Sequence, residues 1–120
     1  MAIRIEHIDG YGLYQNEING IIRLHCRKNI IPVLLNPFND SIDNKLFINE
    51  KYICCFKSIT QLTERFNIDE LRIILKNNYK IYDLKLKEYI IGRFILVFDP
   101  KDIISKNDIS TYLINKLTSK

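Results

Sequence analysis

The chain has 120 residues, of which 47% are hydrophobic and 27% charged. This composition is typical of a soluble globular protein and excludes a disordered chain. At this length we expect residues 1–120 to form a single domain around one core. No apolar run approaches the roughly 20 residues needed to cross a bilayer, and the first residues lack the pattern of a signal peptide. We therefore expect an intracellular protein that makes no use of a membrane.

The formal net charge of +4 is unevenly distributed along the chain. Residues 1–50 carry 5 Lys+Arg and 6 Asp+Glu, a net charge of −1, whereas residues 51–120 carry 13 and 8, a net charge of +5. A basic face attracts nucleic acid or an acidic protein surface. An ordinary solvated surface is the alternative, because no two basic residues of the basic half are adjacent in the sequence.

The first half of the chain contains one clear strand. Ile3 and Ile5 alternate with charged residues, which predicts a half-buried strand from Ala2 to His7. Residues 11–15 fit either a second short strand or an extended loop. Over residues 21–35 the hydrophobic pattern does not separate helix from strand.

Two capping patterns predict two short helices in the middle of the chain. A short apolar run, residues 51–56, has the length of a strand and is followed by Ser58-Ile59-Thr60-Gln61. In such a capping box the serine hydroxyl accepts from a helix N–H, and the glutamine reaches back to the N–H of the cap residue. Asn67-Ile68-Asp69-Glu70 is a second box, and its helix is predicted to end near Asn77.

Strands and a last helix are predicted after those two helices. Tyr79–Leu84 partly alternates, which favours a strand with one wet face. Gly92–Phe98 is nearly continuous in apolar residues from Phe94 onward, which favours a central strand over Ile95–Phe98. Asp99-Pro100 ends the sheet. Asp108 is predicted to cap a helix that extends to Leu117 and docks on the sheet or on a partner. The predicted fold class is α+β, with a small, mostly antiparallel sheet, two short central helices and a C-terminal helix.

Few residues suggest catalysis or metal binding. His25-Cys26 and Cys54-Cys55 are adjacent pairs, and neighbours in a strand point to opposite faces, so neither pair can chelate one ion. We predict free thiols that behave as small buried hydrophobes. Nothing beside them indicates a lowered thiol pKa, and the four glycines form no phosphate-binding loop. No catalytic residue, metal ligand or cofactor is predicted from these patterns.

A candidate binding surface lies in the basic half, where aromatic and basic residues interleave. The predicted binding residues are Lys80, Tyr82, Lys85, Lys87 and Arg93. Tyrosines between lysines can stack on nucleic acid bases, and the lysines can also meet an acidic protein surface. The alternative is ordinary strand tyrosine with a buried ring and a wet hydroxyl.

Several short motifs together resemble a group of small phage-encoded proteins. These motifs are Arg4-Ile5-Glu6, residues 9–14, Phe56-Lys57-Ser58-Ile59-Thr60-Gln61-Leu62, Ile81-Tyr82 and residues 94–99. Phage accessory proteins of this size are often inhibitors of host machinery, including anti-CRISPR proteins. The resemblance implies that class.

The layout is also similar, more distantly, to the ADP-ribosyltransferase fold, which implies NAD as cofactor. In that comparison Gln15 stands after Tyr14 where the family has an arginine, and Ser58 fits the middle position. The stretch from Gly92 to Phe98 contains no glutamate, so the group that would stabilise a developing oxocarbenium charge is absent. If this fold applies, the resemblance implies a degenerate site lined by Tyr14, Gln15 and Ser58.

The leading hypothesis is a phage-type protein in the cytoplasm of the host cell. It would bind and inhibit a host protein or ribonucleoprotein complex, such as a CRISPR effector or another defence complex. The alternatives are an ADP-ribosyltransferase-like enzyme that uses NAD, or a degenerate relative of one, and a nucleic-acid-binding module.

Overall fold

A computed structural model describes residues 2–10, 12, 52–92 and 96–119. Within these residues the chain forms two three-stranded antiparallel sheets and three α-helices. In chain order the elements are β1 (Ala2–His7), β2 (Ile53–Cys55), α1 (Ile59–Arg65), α2 (Ile68–Lys76), β3 (Tyr79–Leu86), β4 (Ile90–Ile91), β5 (Leu96–Phe98), a 3₁₀ turn (Pro100–Asp102), β6 (Ile103–Asp108) and α3 (Ser110–Thr118). The α+β fold class is confirmed, with antiparallel strands and with helices at the predicted places.

The strands divide between two sheets rather than one. The first sheet has the order β1-β3-β6 and the second the order β2-β5-β4. The prediction of a central strand ending at Phe98 is confirmed for β5, and β3 is the central strand of the other sheet. Ile3 and Phe56 exchange two backbone hydrogen bonds, of 2.9 and 2.8 Å, which join β1 to the residue that follows β2.

Strand β3 separates two groups of buried side chains because its successive residues point to opposite faces. Tyr79 and Ile81 lie with the buried residues of β1 and the helices, which are Ile3, Ile5, Leu62, Phe66, Leu71, Ile74 and Leu113. Leu84 belongs instead to a second cluster, with Ala2, Cys55, Leu96 and Phe98. The strand is therefore packed on both faces, although at different points along its length.

The two central helices begin where the capping patterns predict. The Ser58 hydroxyl accepts a hydrogen bond from the N–H of Gln61 at 3.1 Å. The Gln61 side chain, however, accepts from the N–H of Lys57 at 2.7 Å instead of from Ser58, so the predicted reciprocal bond is displaced by one residue. Asn67 and Glu70 form the complete box, with bonds of 2.8 and 3.1 Å.

Helix α3 differs from prediction at its start. Ile109 occupies the cap position and makes no side-chain cap bond, so the prediction of Asp108 as the cap residue is wrong. One residue earlier, Asp108 still accepts from the N–H of Ser110 at 2.9 Å, which satisfies one of the free N–H groups of the first turn. Leu113 is fully buried against α2 and β3, which confirms docking on the sheet.

Strands β4 and β6 were not predicted. Two residues are too few to show a period, which accounts for β4. The sequence of β6 has no apolar alternation because this edge strand is largely exposed, and only its pairing with β3 makes it a strand.

Some predictions lie outside the described residues. They concern residues 11–15, residues 21–35, and positions 93–95 of the strand predicted from Gly92 to Phe98. Among residues 11–15 the structure describes Gly12 alone. None of the helices among the described residues is long and apolar enough to cross a membrane.

Replacing Asn67 with alanine tests the complete capping box. Alanine removes the acceptor for the N–H of Glu70, so we expect the free energy of unfolding to fall by about 1 kcal/mol, and by only a few tenths with glycine. Urea denaturation at neutral pH measures both changes. Asn107→Ala, at an exposed position of β6, is the control and should change stability by less than about 0.5 kcal/mol. Equal effects of Asn67→Ala and Asn107→Ala would contradict the capping role.

Candidate functional site

One face of the first sheet gathers most of its charged side chains. The register pairs Arg4 with Tyr82 and Glu6 with Lys80, and paired residues of antiparallel strands point to the same face. Tyr82 also pairs with Asp108 on β6. We call this set the charged face: Arg4, Glu6, Lys80, Tyr82, Lys106 and Asp108.

Arg4 links the two sheets. It is only 8% exposed, and its Nε donates to Glu6 Oε2 at 2.9 Å while its Nη1 donates to the carbonyl oxygen of Cys54 at 2.6 Å. Gly12 forms an isolated bridge with Glu6, and a Cβ added at Gly12 would lie 3.1 Å from Arg4 Nη2. The missing side chain at Gly12 thus makes room for the guanidinium.

Glu6 receives a second cation from the edge strand. Lys106 donates to Glu6 Oε1 and also lies over the ring of Tyr82, with Nζ 4.3 Å from the centroid. Burial raises the pKa of Glu6, but the hydrogen bonds and charges of Lys106 and Arg4 outweigh burial and hold this pKa below its usual value. Glu6 is therefore ionised at neutral pH and is satisfied by two cations.

Lys80 and Asp108 form a second pair on the charged face. Lys80 Nζ donates to Asp108 Oδ2 at 3.1 Å, and this bond raises the pKa of Lys80. Burial raises the pKa of Asp108, but hydrogen bonds from Ser110 and Lys80 outweigh it and leave the pKa below the usual value. The Ser110 hydroxyl in turn accepts from the N–H of Ile81 at 2.8 Å.

An open groove of about 450 Å³ lies beside the Lys80–Asp108 pair. It is bounded by the last turns of α2, the turn into β3 and the first two turns of α3. Its apolar lining comes from Ile8, Leu75, Tyr79 and Ile114, and Ile8 is 60% exposed. Asn78, at the turn, has the left-handed φ of 68° and accepts a backbone hydrogen bond from Ile8 at 2.9 Å.

The charged lining of the groove is mostly positive. Arg72, Lys76 and Lys80 stand against the single carboxylate of Asp108. Arg72 has a weak partner in Asp69, with 3.8 Å between Nη1 and Oδ1. Within the described part of the chain, Lys76 is exposed and forms no ion pair.

The predicted binding residues do not share one surface. Lys80 lines the groove, and Tyr82 lies half-buried on the charged face beneath Lys106. Lys85 is exposed on the opposite face of β3, since it is an odd number of residues from Lys80 and Tyr82. Lys87 follows β3 and is exposed, and Arg93 lies outside the described residues.

Ile8, Arg72 and Lys76 belong to the groove although no sequence pattern predicted them as site residues. The i, i+4 spacing of Arg72 and Lys76 does place them on one face of α2, which is a usable signal. Nothing in the sequence pattern links that helix face to Ile8, which follows β1 about 65 positions earlier in the chain.

The residues considered for catalysis contribute little to either surface. The Ser58 hydroxyl caps α1, and Tyr14 and Gln15 lie outside the described residues, so the NAD pocket stays a prediction. Cys54 and Cys55 are free thiols, as predicted, and burial raises the pKa of both, that of Cys55 to about 12. In residues 2–10, 12, 52–92 and 96–119 no group of three or more His, Cys, Asp or Glu could hold a metal ion.

Replacing Glu6 with glutamine tests whether the charged face is structural. The change removes the acceptor charge for Arg4 and Lys106, so we expect a loss of about 1–3 kcal/mol in the free energy of unfolding at pH 7. The folded-state pKa of Glu6 is lowered, so its contribution is complete above the ordinary value of 4.5 and is lost as the pH falls through the folded-state pKa. The difference between wild type and Glu6→Gln should therefore shrink below about pH 4.5.

Urea denaturation between pH 7 and pH 3 measures this difference. Glu64→Gln changes an exposed glutamate of α1 and is the matched control, expected to follow the wild type throughout. A Glu6→Gln variant as stable as the wild type at pH 7, or a difference that does not depend on pH, would show that the ionised carboxylate does not hold these strands.

Comparison with known proteins supplies the family. Searches among curated proteins and solved structures give no significant match. Residues 1–111 match the family model described as Bacteriophage T4 Y00F protein, which is nearly the whole chain. The chain therefore belongs to the bacteriophage T4 Y00F protein family, which confirms the small phage protein that its short motifs indicated.

Proposed function

We propose that this phage accessory protein binds a host protein or ribonucleoprotein complex and blocks its action. The observation that carries the proposal is the open groove between α2, β3 and α3, in which apolar side chains lie beside exposed cations. A CRISPR effector or another defence complex is the kind of host target that the phage motifs favour.

The composition of the groove suits a protein interface. Specific interfaces combine an apolar centre with a polar, solvent-accessible rim. Here Leu75, Tyr79 and Ile114 provide the apolar surface, and Arg72 and Lys76 lie at its edge. Single exposed apolar residues are common on monomers, but Ile8 lies in a concave surface with three others.

A nucleic-acid-binding function is supported less well. Affinity for nucleic acid comes mainly from cations that neutralise phosphates. In the groove, Lys80 is already paired with Asp108 and Arg72 lies near Asp69, so Lys76 is the cation left without an acidic neighbour in the described part of the chain. On the charged face Lys106 and Arg4 are both engaged by Glu6.

Affinity purification from host lysate tests the proposed function. We expect the tagged chain to recover a host protein in stoichiometric amount, to retain it after nuclease treatment and to inhibit the activity of the recovered complex. Recovery of no such protein, or recovery that disappears with nuclease, would contradict the proposal.

Two charge reversals show which surface makes the contact. Lys76→Glu changes an exposed cation of the groove, and Lys85→Glu makes the same change at an exposed position of β3 outside the groove lining. We expect Lys76→Glu to slow association with the recovered partner by roughly threefold or more at low salt, because charges near an interface mainly alter the encounter rate. Lys85→Glu should change it by less than twofold. If only Lys85→Glu weakens binding, a surface around Lys85 makes the contact and the groove does not.

A further inference from the structure

We infer that the groove binds a short acidic segment of the partner protein, held by one or more of that segment's apolar side chains. The inference rests on the proposed function and names the chemistry of the partner at this site. Its occupant is a linear peptide segment that carries Asp or Glu next to Leu, Ile or Phe.

The size and floor of the groove fit such a segment. Its volume of about 450 Å³ lies in the range of clefts that bind small ligands. Leu75, Tyr79 and Ile114 come from α2, β3 and α3, so three packed elements fix the shape of the floor. Ile8 stands at the rim with 60% of its surface exposed and gains most from being covered.

The charges of the groove select an acidic occupant. Its lining carries three cations and one carboxylate, a net charge of +2, and Lys76 is the one of these cations with no acidic neighbour in the described part of the chain. Arg72 and Lys76 are one turn apart on α2, and Lys80 follows on β3 directly after the turn. A basic segment would be repelled by this lining, and like-charge contacts are a common source of selectivity between partners.

Polar groups in the lining can hold the backbone or the carboxylates of the segment. Ser110 and Thr111 lie in the first turn of α3, and Asn115 follows one turn later. The Ser110 hydroxyl accepts from the N–H of Ile81 and its side chain also bonds to Asp108, so we assign contacts with the segment to Thr111 and Asn115. Peptide recognition usually combines such hydrogen bonds with pockets for a few side chains.

A nucleic acid strand fits the same groove poorly. The carboxylate of Asp108 lies in the lining, where it would face a phosphate backbone, and its lowered pKa keeps it ionised. Proteins that bind single-stranded nucleic acid have a row of cations along the path of its backbone. The apolar floor of this groove has no such row. The peptide is therefore the occupant we propose, and the nucleic acid is an outcome of the test.

The test is a selection from a random 12-residue peptide library displayed on yeast, with the full-length protein as bait. We expect the enriched peptides to be rich in Asp and Glu and to contain at least one large apolar residue. Binding of one enriched peptide, labelled with a fluorophore, is then measured by anisotropy against four proteins: the wild type, the double variant Arg72→Glu/Lys76→Glu, Ile8→Ser and the control Lys101→Glu.

The expected affinities separate the groove from general charge. The double variant should bind the peptide at least tenfold more weakly, and Ile8→Ser about threefold to tenfold more weakly. Lys101→Glu alters an exposed lysine of the 3₁₀ turn, outside the groove, and should stay within twofold of the wild type. Urea denaturation of each variant confirms that it is folded before binding is measured.

Several results would overturn the inference. These are the absence of enriched peptides, the enrichment of basic peptides, affinities unchanged in both groove variants, and competition by a 12-nucleotide single-stranded RNA at equal concentration. If the lysate experiment still recovers a host partner in any of these cases, only the inference that the groove binds an acidic segment is contradicted. If the peptide selection gives the expected peptides and no host partner is found, only the proposed inhibitory function is contradicted.

Discussion

Strand β3 is the element on which the other parts of the described structure depend. It pairs with β1 on one side and β6 on the other, and it contributes side chains to both buried clusters. Tyr79 and Ile81 meet the helices, and Leu84 meets the second sheet. Because α2 leads into β3 through a tight turn at Asn78, the same strand also fixes where Tyr79 and Lys80 stand in the groove.

The two polar surfaces of this protein have different physical characters. On the charged face, Arg4 and Lys106 both bind Glu6, and Arg4 also binds a backbone carbonyl of β2. These groups satisfy one another, so the face stabilises the junction of the strands and has little capacity left for a partner. In the groove, Lys76 and Ile8 are exposed and can contact a partner.

Local patterns predicted the parts of the fold that depend on neighbours in the sequence. The boxes starting at Ser58 and Asn67 place the starts of α1 and α2 because a cap involves residues only three positions apart. The alternation of Ile3 and Ile5 predicts β1 for the same reason. Strand β6 was not predicted because its strand character depends on hydrogen bonds to β3, whose paired residues are 17 to 26 positions earlier in the chain. Of the predicted binding residues, Lys80 lines the groove and Lys85 lies outside its lining, and their role in binding stays a prediction.

The sequence by itself determined the α+β class, the caps of the central helices, the excess of positive charge after residue 50 and the resemblance to small phage proteins. Only the tertiary structure decided that the strands form two sheets, that Arg4 and Glu6 are used internally, and that Ile8 meets α2 and α3 at a groove. The physical reason is that hydrophobic period and capping act within a few residues. The partner of a charge and the walls of a groove are set by which distant segments pack together.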